Sequence, residues 1–312
     1  MKKLCALILL IIIISSCAAD VIIEVAEPTA EVIVDKPVFD MLEIYIFDAG
    51  KADAILIMTE NYIIMIDTGE NRHGEELVQA LTDKNIGVID YLILTHYHKD
   101  HIGGAHVIIN NIRVKNIIVP NYGKESRHYD RLVNAVSDAG LESFILKEEL
   151  SLTIDSAVFN LYPAQSEYYF YADSDDDIDE DGDFEDEDEP VTNENNFSIV
   201  TSINHGANNF LFTGDAKAKR LREVLRTGSI MLKNYDFLKV PHHGGHNKRS
   251  QEFIYAISPD YAVITCSPED MPDSRVIDAL EDVGSEIFLT VHGGVYVKSD
   301  GNRIIIEHRS LN

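Results

Sequence analysis

Cysteine, positive charge and long apolar runs are the three things this 312-residue chain has little of. Its three cysteines are Cys5, Cys17 and Cys266. The first two belong to the chain start, so Cys266 has no partner for an intramolecular disulfide, and a cross-linked scaffold is excluded. Cys266 follows the apolar run Tyr261 to Thr265 and reads as a strand-end packing residue, not a nucleophile. Lys and Arg together number 26 against 53 Asp and Glu, a formal charge of −27. Long polyanions are therefore repelled on average at low salt. The apolar run at the chain start, Leu4 to Ile14, covers about eleven residues where a membrane-spanning helix needs about twenty, and no transmembrane domain follows it.

That run has a different reading. Met1-Lys2-Lys3 is a short basic segment, Leu4 to Ile14 an apolar one, and Ile14-Ser15-Ser16-Cys17 resembles a lipoprotein processing box. The expectation is a signal peptide over 1–16, a lipidated Cys17 as mature N-terminus, and a tether over 17–37 containing Pro28 and Pro37. Several acyl chains on one residue anchor stably, unlike a single myristoyl chain. The implied location is outside the cytoplasmic membrane of a bacterium, as a membrane-anchored lipoprotein. Losing Lys2 and Lys3 takes the charge to about −29, and setting aside a thirteen-acid segment at 173–189 leaves about −16.

This segment, DSDDDIDEDGDFEDEDE, does not fold alone. It is either a solvated acidic loop or a calcium loop. Asp177, Asp179, Asp181, Asp183 and Asp188 stand at positions 1, 3, 5, 7 and 12 of the latter pattern, with Gly182 at the sharp turn and Phe184 docking inward. Position 12 is Asp and not Glu, and no flanking helix pair is evident.

The remainder, 38–312, alternates strand and helix patterns. Strands are expected at 42–47, 54–58, 62–66, 90–94, 116–119, 142–146 and 157–162, then at 197–203, 208–213, 235–240, 260–265, 286–290, 294–298 and 303–308. Helices are expected near 74–84, 103–110, 125–139, 216–226, 250–257 and 273–282. Runs such as Ile117-Ile118-Val119 look buried on both faces, which requires helices covering sheets. The expected fold is α/β (α+β), four layers αββα around two mixed β-sheets.

Chemistry concentrates at THYHKDHIGG, residues 95–104, directly after the apolar run Tyr91 to Leu94. Period-two spacing on an extended loop points His96 and His98 at one ion, while Asp100 and His101 turn toward a neighbouring one. Imidazole and carboxylate suit borderline divalent metals such as zinc. Gly103-Gly104 then permits a tight turn.

Together with Phe212-Thr213-Gly214-Asp215 and Pro241-His242-His243-Gly244, this motif resembles the metallo-β-lactamase fold superfamily. Phe47-Asp48-Ala49-Gly50-Lys51-Ala52-Asp53-Ala54, Ile66-Asp67-Thr68-Gly69, Asn195-Asn196-Phe197-Ser198 and Val291-His292-Gly293-Gly294 resemble one subgroup, the extracellular hydrolase domain of ComEC-type DNA-uptake proteins, over roughly 42–308. The resemblance implies two divalent metals, zinc foremost with Mn²⁺ as the alternative. His96 and His98 would hold the first, Asp100 and His101 the second, Asp215 would bridge them, and His242 would be the late ligand. His243 is then the proton donor or substrate-oxygen partner, the two adjacent histidines being able to exchange roles. Asp100 counts among the catalytic groups, Asp67 supports a metal-bound histidine, and His246 is either an added proton donor or an exposed loop histidine.

Where lactamases carry a third histidine for the first metal, Asn195 and Asn196 stand here. The first shell is thinner, and amide oxygen is a poor zinc ligand beside imidazole. His205 reads as a hairpin-turn residue and no substitute. Lys217, Lys219, Arg220, Arg222 and Arg226 form either a phosphate-binding stripe or a solvated helix face. The resulting expectation is a metal-dependent hydrolase acting on a phosphodiester: DNA, a nucleotide or an envelope component. The alternatives are an acyl hydrolase acting on lactams, lactones or thioesters, and a non-catalytic calcium-dependent surface binding module. No protein partner is predicted; the membrane is reached through lipidated Cys17.

Overall fold

Strand alternation sends successive side chains to opposite faces, and here both faces of most strands are buried. β1 (Leu42–Ile46), β2 (Ala54–Met58) and β3 (Ile63–Thr68) form an antiparallel meander. β4 (Val88–Ile93), β5 (Arg113–Pro120) and β6 (Ser143–Leu146) follow in parallel order. Their crossovers carry α1 (Gly74–Asp83), the pair α2 (Lys99–Ile102) and α3 (Ala105–Asn111), and α4 (Arg127–Asp138), as parallel pairing requires.

The second sheet repeats the plan. β7 (Leu150–Ile154), β8 (Ala157–Tyr162), β9 (Val200–His205) and β10 (Asn208–Phe212) are antiparallel. β11 (Phe237–Lys239), β12 (Tyr261–Ile264) and β13 (Glu286–Leu289) then run parallel to β10. Their connections carry α5 (Ala218–Thr227), α6 (Ser250–Ile257) and α7 (Ser274–Asp282). β14 (Val295–Ser299) and β15 (Ile304–His308) return to the first sheet beside β1. The sheet orders are β15-β14-β1-β2-β3-β4-β5-β6 and β13-β12-β11-β10-β9-β8-β7.

This computed structural model describes residues 40–165, 193–227, 230 and 235–309. The expected signal peptide 1–16, Cys17, the tether 17–37, and the acidic insert 173–189 with Asp177, Asp179, Asp181, Asp183 and Asp188 lie outside the described residues.

Three buried layers make the sandwich. Ile44, Ile66, Ile93 and Ile118 of the first sheet meet Phe159, Ile203, Phe210 and Phe237 of the second. On the outer face of the first sheet Leu92, Ile117 and Val119 pack under Leu77, Ile108 and Leu132 of its helices. Leu211, Leu238 and Ala262 do the same under Leu221, Phe253 and Val276. Ile117-Ile118-Val119 therefore alternates between two cores, as its composition predicts.

Two local differences from expectation have physical causes. β7, Leu-Ser-Leu-Thr-Ile, was not expected, because it is short and half exposed at a sheet edge. The helix expected near 103–110 is split into α2 and α3 at Gly103 and Gly104. A Cβ on Gly103 would lie 2.3 Å from the Lys99 carbonyl and 2.5 Å from Asn71 N, and one on Gly104 would lie 2.4 Å from the Thr68 carbonyl. Only glycine lets this turn approach the chain after β3.

Parallel strands share an orientation, so β3, β4 and β5 end at one edge, as do β10, β11 and β12. Between the sheets Phe237 is fully buried, its ring 5.5 Å from that of Phe212 and 5.8 Å from that of Phe210. Phe237→Ala should destabilise the fold by about 3–5 kcal/mol in urea unfolding; a loss under about 1 kcal/mol would show that the layer between the sheets does not depend on this ring.

Candidate metal centre

β4 delivers the chain to Thr95, and three residues on the extended His98 (φ −69°, ψ 153°) caps α2. His96 is fully buried, and its Nε2 lies 3.1 Å from Nδ1 of His98. Burial holds both rings below the usual histidine pKa, so both are neutral near pH 7, the state a metal ligand needs.

The second half of the motif meets residues from the other sheet. Nε2 of His101 and Nε2 of His243 each lie 3.2 Å from Oδ2 of Asp215. Asp100 Oδ2 is 3.5 Å from His243 Nε2 and 3.9 Å from His101 Nε2. One donor atom from each of these four residues falls within 4.8 Å of the other three. His101 Nε2, His243 Nε2 and Asp215 Oδ1 are buried without a hydrogen-bond partner, and buried polar atoms left so call for a ligand. Burial would raise the Asp215 pKa, yet His243 and His101 outweigh it and hold the carboxyl well below the usual range.

Hydrogen bonds on the far side of each ring fix which nitrogen faces this space. Thr95 donates its hydroxyl to Asp67 (2.7 Å) and so accepts from His96 Nδ1 (3.1 Å). Asp67 also accepts from the Thr95 amide at 2.8 Å and lies 2.7 Å from His101 Nδ1. Thr265 donates to Asp53 (2.7 Å) and accepts from His243 Nδ1 (2.8 Å). In all three histidines Nδ1 carries a proton to its partner, so Nε2 is the nitrogen that would bind a metal.

Below the group, Asp53 and Lys239 are both 1 % exposed and form an ion pair at 2.5 Å, with Lys239 Nζ 3.9 Å from Asp215 Oδ1. Burial alone would raise Asp53, but Lys239, His243 and His101 outweigh it and lower its pKa. Asp53, Asp67 and His101 also lie close enough to suggest an ion, yet Lys239, Thr265 and Thr95 already occupy those carboxylates. Asp53, Asp67, Asp100 and Asp215 face the ammonium of Lys239. Burial would lower the pKa of His101 and His243, yet Asp215, with Asp67 at His101 and Asp100 at His243, outweighs it and raises both rings. That positive charge is what divalent cations would supply in place of those ring protons. The donor set therefore fits two such ions.

The late-ligand position differs from expectation. His243, not His242, joins Asp100, His101 and Asp215. Consecutive left-handed residues, His242 (φ 50°, ψ 43°) and His243 (φ 54°, ψ 28°), swing the adjacent side chains apart, their ring centroids 6.3 Å distant. The His242 amide donates to the Gly214 carbonyl at 3.2 Å. Its ring is half-buried, with a pKa lowered to about 4 by burial and by Lys217 and Lys51, against the opposing pull of Asp215. Asp67 is also left-handed (φ 55°). Such strain persists where surrounding structure enforces it.

The other expected residues distribute as follows. His246 is half-buried and outside the group. Asn195 and Asn196 are buried in a short turn; Asn196 Oδ1 accepts from the Arg220 amide at 3.1 Å, whereas Asn195 Oδ1 has no hydrogen-bond partner. This turn is tied to both motifs, with Ile199 N–H donating to the Thr95 carbonyl and Asp215 N–H to Ser198 Oγ. His205 ends β9 at the opposite edge of its sheet, between Ser299 and Ser156. Of the five bases near α5, Arg220 is buried and bonds Ser198, Tyr162 and Glu223, and Lys219 is buried too. A continuous phosphate-binding stripe is therefore absent from α5. Cys266 is buried and its thiol is pushed up by burial, which suits packing.

Thr95, Thr265, Asp53 and Lys239 were not foreseen in these roles. Only Lys239 left a signal: a lysine between Leu238 and Val240 in an apolar strand demands a buried counter-charge.

The family described as "Metallo-beta-lactamase superfamily" matches residues 48–267. "ComE operon protein 3" of Bacillus subtilis (strain 168) is 24 % identical over 283 residues, covering 84 % of this chain and 33 % of that protein. "Recombination protein 2" of Haemophilus influenzae is 27 % identical over 272 residues, covering 83 % of this chain and 29 % of that protein. The chain thus spans about a third of the length of the curated relatives it matches. Among solved structures, Igni18, a metallo hydrolase of Ignicoccus hospitalis, aligns at 13 % identity and TM-score 0.45 over 86 % of this chain and 100 % of its own.

Thr265→Val removes the hydroxyl between Asp53 and His243 while keeping the side-chain shape. Metal affinity, measured by chelator competition, should fall about 10–100-fold; an unchanged affinity would mean that His243 needs no such partner.

Proposed function

The chain belongs to the metallo-beta-lactamase superfamily, and on that premise we propose that it is a metal-dependent phosphodiesterase anchored at the bacterial cell surface. The observation that carries the reading is the convergence of Asp215 with His101, His243 and Asp100 beside the facing nitrogens of His96 and His98. Buried asparagines stand where acyl-hydrolysing relatives place a third imidazole, and the ComEC-type resemblance favours phosphodiester chemistry over lactams, lactones or thioesters.

His96 and His98 would hold one divalent ion and Asp100, His101 and His243 the other, with Asp215 shared. Bound by these residues, two divalent ions would supply an activated water near neutral pH and polarisation of a phosphoryl oxygen. The protein's own groups do the rest. Thr95, Asp67, Thr265 and Asp53 hold the Nδ1 side of each ring, so that Nε2 is the nitrogen turned toward a metal. Asp215 stays ionised across the physiological range. His242, half-buried and near Lys51 and Lys217, stands at the rim, where a neutral imidazole and ammonium groups suit an anionic substrate. Zinc is the metal the imidazole-rich set favours, and the thin first site admits Mn²⁺. Cys17, if lipidated, would tether this unit to the membrane.

Incubation with Zn²⁺ or Mn²⁺ should give turnover of bis(p-nitrophenyl) phosphate or single-stranded DNA that disappears in Asp215→Ala. Protein that opens lactams, lactones or thioesters while leaving each phosphodiester intact would replace this reading with the acyl one.

A further inference from the structure

Three of the four histidines in the centre have a threonine or aspartate on the nitrogen turned away from the site: His96 has Thr95, His101 has Asp67 and His243 has Thr265. His98 is the exception in both position and ring orientation. It faces His96 with Nδ1, not Nε2, and its side chain is 33 % exposed. Its outward nitrogen, Nε2, lies 3.8 Å from Oε2 of Glu194. We propose that Glu194 is the positioning residue for His98, supplying the outer carboxylate that holds this ring's Nδ1 toward the first metal.

The setting of Glu194 supports that role. It opens the short turn Glu194–Phe197 that also carries Asn195 and Asn196, and Asn193 caps this turn through the Asn195 amide at 3.1 Å. One carboxylate oxygen pairs with Lys124 Nζ at 2.6 Å, while the other accepts from the Tyr122 hydroxyl at 3.3 Å. Tyr122 in turn accepts from the Tyr97 amide at 2.7 Å, the residue between the two histidines. Its ring stacks within 4.7 Å of both Tyr97 and Phe197. Glu194 is thus fixed from two sides, and through Tyr122 it is bonded to the very backbone that spaces His96 from His98.

A carboxylate near Nε2 favours the proton there and leaves the electron pair on Nδ1. The same restraint matters more at this site than at its neighbour. His101 and His243 would share their ion with two carboxylates, whereas among the described residues His96 and His98 have Asn195 and Asn196 in place of a third imidazole, with Asp215 to share. With fewer donors, an error in ring orientation weakens a larger fraction of the binding.

The inference rests on the reading that this centre holds two divalent ions, and the test separates the two. Zn²⁺ affinity is measured by competition with a chelator for the full chain, for Glu194→Ala and for Glu194→Gln, together with the thermal stability of each metal-free protein. The wild-type chain should take up two ions. Glu194→Ala should keep one unchanged and weaken the other about 10–100-fold, with Glu194→Gln intermediate and both metal-free proteins as stable as wild type. Nitrogen NMR of His98 should show the proton leaving Nε2 in Glu194→Ala. Two ions bound at wild-type affinity by both variants would overturn the role of Glu194, as would equal weakening of both sites. If Glu194→Ala fails to fold, the near-isosteric Glu194→Gln decides between the same outcomes. A wild-type chain that binds no ion would instead overturn the underlying reading.

Discussion

Four carboxylates gathered at one seam between two sheets, three of them buried, are the constraint around which this structure is arranged. Asp53, Asp67 and Asp215 are each at most 2 % exposed, and Asp100 stands at the mouth. Such a concentration of negative charge is stable only if it is paired and hydrogen-bonded. Among the described residues Lys239 is the permanent cation set against them, joined by threonine hydroxyls and histidine rings. Against their burial, Asp215 and its neighbours also draw protons onto His101 and His243, the positions where divalent ions would supply the positive charge instead. The site is thus an incomplete electrostatic unit whose missing partner is defined by its chemistry, and the αββα sandwich is the frame that brings its two halves to the same edge.

Each half comes from a different sheet. The first contributes Asp53 before β2, Asp67 at the end of β3 and the histidines after β4. The second contributes Asp215 after β10, Lys239 in β11, His243 after it and Thr265 after β12. The links between them are the bonds that matter for chemistry: Asp53 to Lys239 and Thr265, His101 to Asp215, and Asp100 to His243. Any slip between the sheets would separate acceptors from donors, and the inner layer in which Phe210, Phe212 and Phe237 of one sheet pack with Ile44, Ile66 and Ile93 of the other holds them together. The threonines add a second level of control. Each donates to an aspartate and must therefore accept from a histidine, which decides the tautomer without any contact to substrate.

Much of this was legible because it is written in local periodicity. Alternating apolar runs marked nearly every strand, and the doubly buried Ile117-Ile118-Val119 announced helices on the outside. The spacing of His96, His98, Asp100 and His101 marked the centre for a related reason, since strand period and helical turn are properties of neighbours. What escaped lies across the chain. Asp53 and Thr265 are separated by 212 positions, and nothing near either residue reveals the other. His242 and His243 are adjacent and chemically identical, so only the left-handed backbone at both decides which ring turns inward. Arg220 looked like its neighbours on α5, and its burial follows from Glu223 and two carbonyls supplied by other elements.

The account stands or falls on two ions at this seam. Anomalous diffraction from crystals of the protein grown with Zn²⁺ or Mn²⁺ locates them directly. Two peaks are expected, one between His96 and His98 and one among Asp100, His101 and His243, with Asp215 reaching both. A single peak, or metal bound elsewhere with His101 Nε2 and His243 Nε2 engaged by protein atoms alone, would contradict it.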